Sequence, residues 1–167
     1  AMEPFQSFGY IDHLGRIVIV SSTQIVFHVR RHIARALGIP ASKIRVIKPR
    51  IGGGFGSKQT ACTELMTAFV TWKLQKPCYL LYDRTEAQTC STTRHAREWY
   101  IRLGATKDGI IQVIDMDSIT AAGAHATHCF TTTTAGEHKS VPLYNKGKAV
   151  HYGTEGVYTN HTPGGAF

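Results

Sequence analysis

The sequence predicts an α+β fold, a mixed sheet with hairpin strands and packed helices. Strand-like apolar runs alternate along the chain with stretches whose apolar residues recur at helical spacing. Lys107-Asp108-Gly109 separates two β-rich runs, residues 99–106 and 110–120, and so marks a hairpin. A glycine-rich loop, Gly52-Gly53-Gly54-Phe55-Gly56, stands between a strand pattern and a helix pattern.

Residues 16–20 form a short apolar run and predict a strand. Ser21, Ser22 and Thr23 supply N-cap candidates for a helix. Ile25, Val29, Ile33 and Leu37 then repeat every fourth residue, which gives that helix one apolar face. Gly38 is placed to end it and Pro40 prevents continuation. Residues 43–47 read as a strand, and residues 60–74 as a helix on the spacing of Leu65, Ala68, Phe69 and Trp72. Residues 78–82 are a further strand, followed by the Asp83-Arg84-Thr85-Glu86 turn and a polar segment to Arg94-His95. Residues 131–134 are all threonine and predict a surface or lining loop. Residues 149–159 are a last strand, interrupted at Gly153 and Gly156. No internal repeat is apparent.

A length of 167 residues allows one domain or a piece of a larger one. The chain opens at Ala1-Met2-Glu3-Pro4 and stops at Gly164-Gly165-Ala166-Phe167, inside a glycine-rich turn. Both ends read as cut, so residues 1–167 are expected to be a single fragment. The net charge is +8, yet no basic run is longer than the Arg30-Arg31 pair. That scatter predicts a solvated basic surface and no nucleic-acid partner. No apolar run approaches the ~18 residues of a membrane span. Cys62, Cys78, Cys90 and Cys129 form no Cys-x-x-Cys and predict reduced thiols in a cytoplasmic protein.

The glycine loop invites two readings. Its bare backbone can turn several N–H groups toward one point and bind an anion, helped by a helix N-terminus. It can equally be a tight strand-to-helix turn. It is not a Walker loop, because Ser57 precedes Lys58 and Gln59 follows. It is not a dinucleotide fingerprint, because Ser57 stands where the third glycine belongs. Gln24, directly after a strand end, is either a binding residue or a solvated first-turn residue. Arg94 and His95 either contact substrate or hydrogen-bond neighbours such as Asp83 or Glu86. His125 and His128 are three apart, but no carboxylate stands at a matching offset, which argues against a metal site.

Ser22-Thr23-Gln24 and Gly52-Gly53-Gly54-Phe55-Gly56-Ser57-Lys58, with Asp83-Arg84-x-Glu86, Arg94-His95 and the Gly164-Gly165-Ala166-Phe167 end, resemble one family. It is the molybdenum-binding large subunit of the xanthine dehydrogenase/aldehyde oxidase family, and the likeness runs over nearly the whole chain. The resemblance implies part of a larger molybdopterin-binding domain. The pterin dithiolene holds molybdenum, so the chain need supply no direct metal ligand. By resemblance Gln24 contacts an oxygen on molybdenum, Gly54, Phe55 and Gly56 place backbone against the cofactor, and Gln59 faces substrate. The implied reaction hydroxylates an electrophilic carbon of a purine, another N-heteroaromatic or an aldehyde, with water as oxygen source. [2Fe-2S] clusters and FAD on other domains or subunits take the electrons.

The chain departs from the family at two places. Xanthine-specialised members carry glutamate where Gln59 stands, and an arginine in the segment matching residues 131–138. This chain has no arginine after Arg102. The resemblance therefore does not imply purine specificity, and an aldehyde or another N-heteroaromatic fits it equally. The general-base glutamate is expected outside this chain, so these residues alone should be inactive. The competing expectation is a non-enzymatic phosphate- or nucleotide-binding module that uses the Gly52-to-Gly56 loop. The charge favours it, and the failed phosphate-loop spacings oppose it.

Overall fold

The apolar runs and helical spacings of the sequence form two compact units, Ala1–Thr92 and Thr93–Phe167. The structure, a computed structural model, describes residues 1–167 apart from the side chain of Glu137. Both units contain a mixed sheet with helices packed on it, the α+β class expected.

In the first unit, β1 (Gln6–Ile11) and β2 (Ile17–Ser21) pair antiparallel, and β3 (Ile44–Ile47) joins β2 in parallel. β4 (Cys78–Leu81) adds antiparallel to the other edge of β1, giving the order β3-β2-β1-β4. A parallel β2–β3 pair needs a crossover, and α1 (Val26–Leu37) supplies it. Val29 and Ile33 of α1 are fully buried against Ile17, Ile19 and Ile44, as the four-residue apolar spacing predicts. Each such side chain contributes about 1.5–3 kcal/mol of hydrophobic stabilisation. Gly38 ends α1 at φ 65°, ψ 30°, the left-handed conformation expected of it.

Three expectations in this unit are corrected. Ser21 belongs to β2, and α1 begins at Val26 with no side-chain cap. Thr23 Oγ1 instead accepts from Ile25 N at 3.1 Å, making a local turn ahead of the helix. The second helix, α2, spans Glu64–Leu74 and not 60–74. Residues Ser57–Gln59 form a short 3-10 turn, and Thr60 is extended at φ −124°, ψ 141°. Glu64 is buried at the start of α2, where it accepts from Ser21 Oγ at 2.7 Å and from Cys62 N at 2.9 Å. The polar segment after β4 begins with a helix, α3 (Arg84–Thr89). Asp83 accepts from Glu86 N at 2.7 Å while Glu86 accepts from Asp83 N at 2.9 Å, a reciprocal capping box.

The face that α2 turns inward is largely polar: Glu64, Thr67, Ala68 and Thr71 are buried. Thr67 Oγ1 and Ser7 Oγ lie 2.7 Å apart. A Cβ on Gly9 would come 2.5 Å from Thr71 Oγ1, so glycine lets α2 lie close on β1. Met66, Phe69 and Leu74 are exposed.

The second unit has the sheet order β5-β6-β7. β5 (Arg97–Ala105) and β6 (Ile111–Gly123) form the expected antiparallel hairpin, with Gly109 at φ 81° in its turn. β7 (Ala149–Tyr158) runs parallel to β6 and passes through Gly153 and Gly156 without a break. The crossover carries α4 (Cys129–His138), so residues 131–134 are helical and not a loop. Threonine is a weak helix former. Here Thr133 and Thr134 hydroxyls donate to Cys129 O and Phe130 O, and packing on β6 and β7 decides the conformation. A Cβ on Gly156 would sit 2.9 Å from Cys129 Sγ, which explains glycine at that point of the strand.

Candidate functional site

The chain leaves β3 at Ile47 and reaches the glycine loop in a path that right-handed backbone cannot follow. Gly53, Phe55 and Gly56 all have positive φ, at 102°, 52° and 91°. For Phe55 that conformation costs about 1–3 kcal/mol, and its ring is 72% exposed. The surroundings hold the strain in place. Ser57 N and Ser57 Oγ both donate to Gly54 O, at 2.9 and 2.7 Å. Thr92 Oγ1 donates to Ser57 O at 3.0 Å.

Gln24 is the centre of this arrangement. Its Oε1 accepts from Gly56 N at 3.0 Å and from Lys58 N at 3.2 Å. Its own backbone N donates to Lys58 O at 2.9 Å. Two N–H donors face the carboxamide, which fixes its oxygen toward the loop and leaves Nε2 as the outer end. Nε2 makes no hydrogen bond among the described residues. A Cβ on Gly54 would meet Gln24 Cδ at 2.4 Å, so the loop can approach this side chain only as glycine. Gln59 follows in the 3-10 turn and is half-buried.

The same contacts count against the phosphate-binding alternative. Gly56 N and Lys58 N are spent on Gln24, Ser57 N on Gly54 O, and Gly52 N on Glu3 Oε2 at 2.6 Å. Lys58, just after the loop, is also committed: it is 2% exposed, with Nζ 2.8 Å from Glu3 Oε2. No helix N-terminus follows directly, because α2 starts at Glu64. Four of the loop's N–H donors and the Lys58 ammonium thus serve internal contacts and not an anion.

Glu3 escaped the sequence reading. Burial opposes its ionisation, yet hydrogen bonds from Lys58, Gly52 and Gln6 together hold its carboxyl below the usual range. Nearby, burial and then the Glu64 charge push the Cys62 thiol up to about 12. Cys62 is a neutral packing group, and all four cysteines are unpaired as expected.

Arg94 and His95 belong to the second unit, where they hold the residues around Gly164. The Arg94 guanidinium stacks 5.1 Å from the Phe167 ring centroid. His95 Nδ1 lies 2.8 Å from Ala121 O, and its Nε2 is buried without a partner among the described residues. A Cβ on Gly164 would strike the His95 ring at 2.2 Å. Asp83 and Glu86 are engaged in capping α3. Asp115, Asp117 and His151 cluster on β6 and β7, a grouping the sequence reading did not make. Asp115 is paired with Arg102 at 2.6 Å and His151 at 2.9 Å, so its charge is already compensated. Among the described residues no helix is long and apolar enough to cross a membrane.

The model of the molybdopterin cofactor-binding domain matches residues 1–167. The chain belongs to this family. A putative xanthine dehydrogenase molybdenum-binding subunit of Escherichia coli (strain K12) is 40% identical over 99% of the chain. The nicotinate dehydrogenase large molybdopterin subunit of Eubacterium barkeri is 33% identical over 99% of the chain. The crystal structure of quinoline 2-oxidoreductase from Pseudomonas putida 86 superposes with a TM-score of 0.86, at 27% identity and 99% coverage. The molybdopterin-domain chain spans 22% of the first relative, 39% of the second and 22% of the quinoline enzyme's chain. The resemblance to the molybdenum-binding subunit of the xanthine dehydrogenase/aldehyde oxidase family therefore holds.

Proposed function

We propose that the Gly loop and Gln24 form one wall of a molybdopterin site in a molybdenum hydroxylase. The whole protein then adds a hydroxyl from water to an electrophilic carbon of a purine, another N-heteroaromatic or an aldehyde. The net change is C–H plus water to C–OH, two protons and two electrons, the electrons leaving to iron–sulfur clusters and FAD carried elsewhere. The molybdenum cofactor supplies the oxygen-transfer and two-electron chemistry. This chain supplies donors and shape. Gln24 Nε2 donates toward the cofactor, while its Oε1 is held by Gly56 N and Lys58 N. Gly54, Phe55 and Gly56 present backbone at close range, and the exposed Phe55 ring shields the site from water. Gln59 orients the substrate and, as a neutral amide, moves no proton. The carboxylates beside the loop are occupied, Glu3 by Lys58 and Glu64 by Ser21 and Cys62 N. In this reading the general base comes from another part of the whole protein.

The observation that carries this reading is the orientation of Gln24, whose acceptor end is consumed by the strained loop and whose donor end is not. The test is to express the full-length protein with its cofactor, measure molybdenum per chain, and assay xanthine, nicotinate and an aromatic aldehyde. Stoichiometric molybdenum with turnover of at least one substrate is expected. A correctly folded protein that takes up no molybdenum would overturn the proposal.

A further inference from the structure

Lys58 is the largest fully buried side chain among the described residues. A buried ammonium needs a partner that offsets its lost hydration, and Glu3 Oε2 at 2.8 Å is that partner. Glu3 does more than neutralise. The same Oε2 accepts from Gly52 N at 2.6 Å, at the entrance of the glycine loop. Its Oε1 accepts from Gln6 Nε2 at 2.7 Å, and Gln6 Oε1 accepts from Tyr79 OH at 2.9 Å. The carboxylate is thereby anchored to β1 and β4. At the exit of the loop, the Lys58 backbone grips Gln24 twice, N to Oε1 and O from Gln24 N. One residue thus ties the loop entrance through its side chain and Gln24 through its main chain. Between those ties lie Gly53, Phe55 and Gly56, whose positive φ values would relax if either end were released.

We propose that the Lys58–Glu3 ion pair is a positioning clamp that fixes both ends of the glycine loop and so aims the Gln24 carboxamide. The inference rests on the reading that Gln24 and the loop face the cofactor. Lys58 and Glu3 touch neither cofactor nor substrate in it and act through Gln24 and Gly52.

The test uses the full-length protein and the variants Lys58→Met, Glu3→Gln, Lys58→Met/Glu3→Gln and, in parallel, Gln24→Ala. Amide hydrogen exchange across residues 52–58 is followed in the cofactor-free form, with residues 17–21 as internal reference. Tm, kcat per bound molybdenum and KM are followed in the loaded form. Each single variant should speed loop exchange by roughly tenfold or more without touching the reference strand. It should lower kcat per molybdenum by roughly tenfold while KM stays nearly constant. The double variant leaves no uncompensated buried charge. Its Tm should return toward wild type while loop exchange stays fast and kcat stays low. If Tm, exchange and kcat all recover together, the pair is a simple stabilising contact and the clamp is wrong. Unchanged loop exchange in both single variants overturns it as well, and Glu3→Gln answers this even if Lys58→Met fails to fold. If exchange rises but kcat holds while Gln24→Ala lowers it, the clamp falls and the site reading stands. If Gln24→Ala is also without effect, the site reading falls too.

Discussion

A Cβ on Gly54 would stand 2.4 Å from the Cδ of Gln24. Gly54 is not a positive-φ residue, so it is glycine for space alone. Gly54→Ala should push Gln24 off its two loop donors and destabilise the first unit by about 1–3 kcal/mol. Urea unfolding of the full-length protein checks the stability, and elemental analysis should find less bound molybdenum.

Gln24→Ala removes the acceptor shared by Gly56 N and Lys58 N and the outward donor at Nε2. A lost hydrogen bond to a strongly polar centre is worth about 1.5–3 kcal/mol, or roughly 10- to 150-fold in rate. Steady-state kcat per bound molybdenum should fall by that factor with the fold retained. An unchanged kcat would make Gln24 a loop support only.

Gln59→Glu should change substrate preference and leave cofactor content alone. Glutamate can exchange a proton with a purine nitrogen, and the native amide cannot. One mismatched polar contact is worth about 1–3 kcal/mol, so the kcat/KM ratio of xanthine to an aromatic aldehyde should move by roughly tenfold. Equal changes on both substrates would remove Gln59 from the specificity residues.

Acid should loosen the loop through Glu3. Its carboxyl pKa is held below the ordinary range in the folded chain, burial opposing ionisation and the bonds from Lys58, Gly52 and Gln6 outweighing it. For such a group the stabilisation is complete above the unfolded value, about 4.3. It is lost as pH falls through the lower folded value. Hydrogen exchange of residues 52–58, corrected for intrinsic rates, should stay flat down to about pH 4.3 and then rise. Glu3→Gln should abolish the step, since an amide does not titrate.

Cys62 should resist alkylation. With its thiol near 12, the reactive thiolate is rarer at pH 8 than in a free cysteine near 8.5, by roughly a thousandfold. Iodoacetamide at that pH should label exposed Cys90 and leave Cys62 intact until the chain unfolds. Peptide mapping by mass spectrometry reads the result.

Periodicity made most of the fold legible. The four-residue spacing from Ile25 to Leu37 placed α1, Asp108-Gly109 placed the β5–β6 hairpin, and Gly38 marked a real left-handed stop. Composition misled where local preference and packing disagree. Four consecutive threonines look like a loop, but their hydroxyls can bond back to helix carbonyls. Asp83 and Glu86 carried the signal for α3, at capping-box spacing, yet read as a turn. At the site, Gln24, the glycines and Phe55 stood out by motif. Glu3 did not, because its partners Gly52 and Lys58 lie 49 and 55 residues away. Pairings at such distances leave no trace in local spacing. Lys58 was visible only as a residue that breaks the Walker spacing, and nothing near it in sequence marked its burial against Glu3.

The polarity of α2 bears on how this segment can vary. Thr67 and Thr71 face inward while Met66, Phe69 and Leu74 face outward. Ala68, Leu65 and Trp72 join the core, but at these other positions hydropathy ranks replacements the wrong way round. Thr67→Val, an ordinary exchange of shape, strands the Ser7 hydroxyl that Thr67 now satisfies. Phe69→Lys, which looks drastic, removes nothing from the core of this unit. A designer who scored the helix by burying its greasiest residues would turn it by about half a revolution and lose the close seat against Gly9.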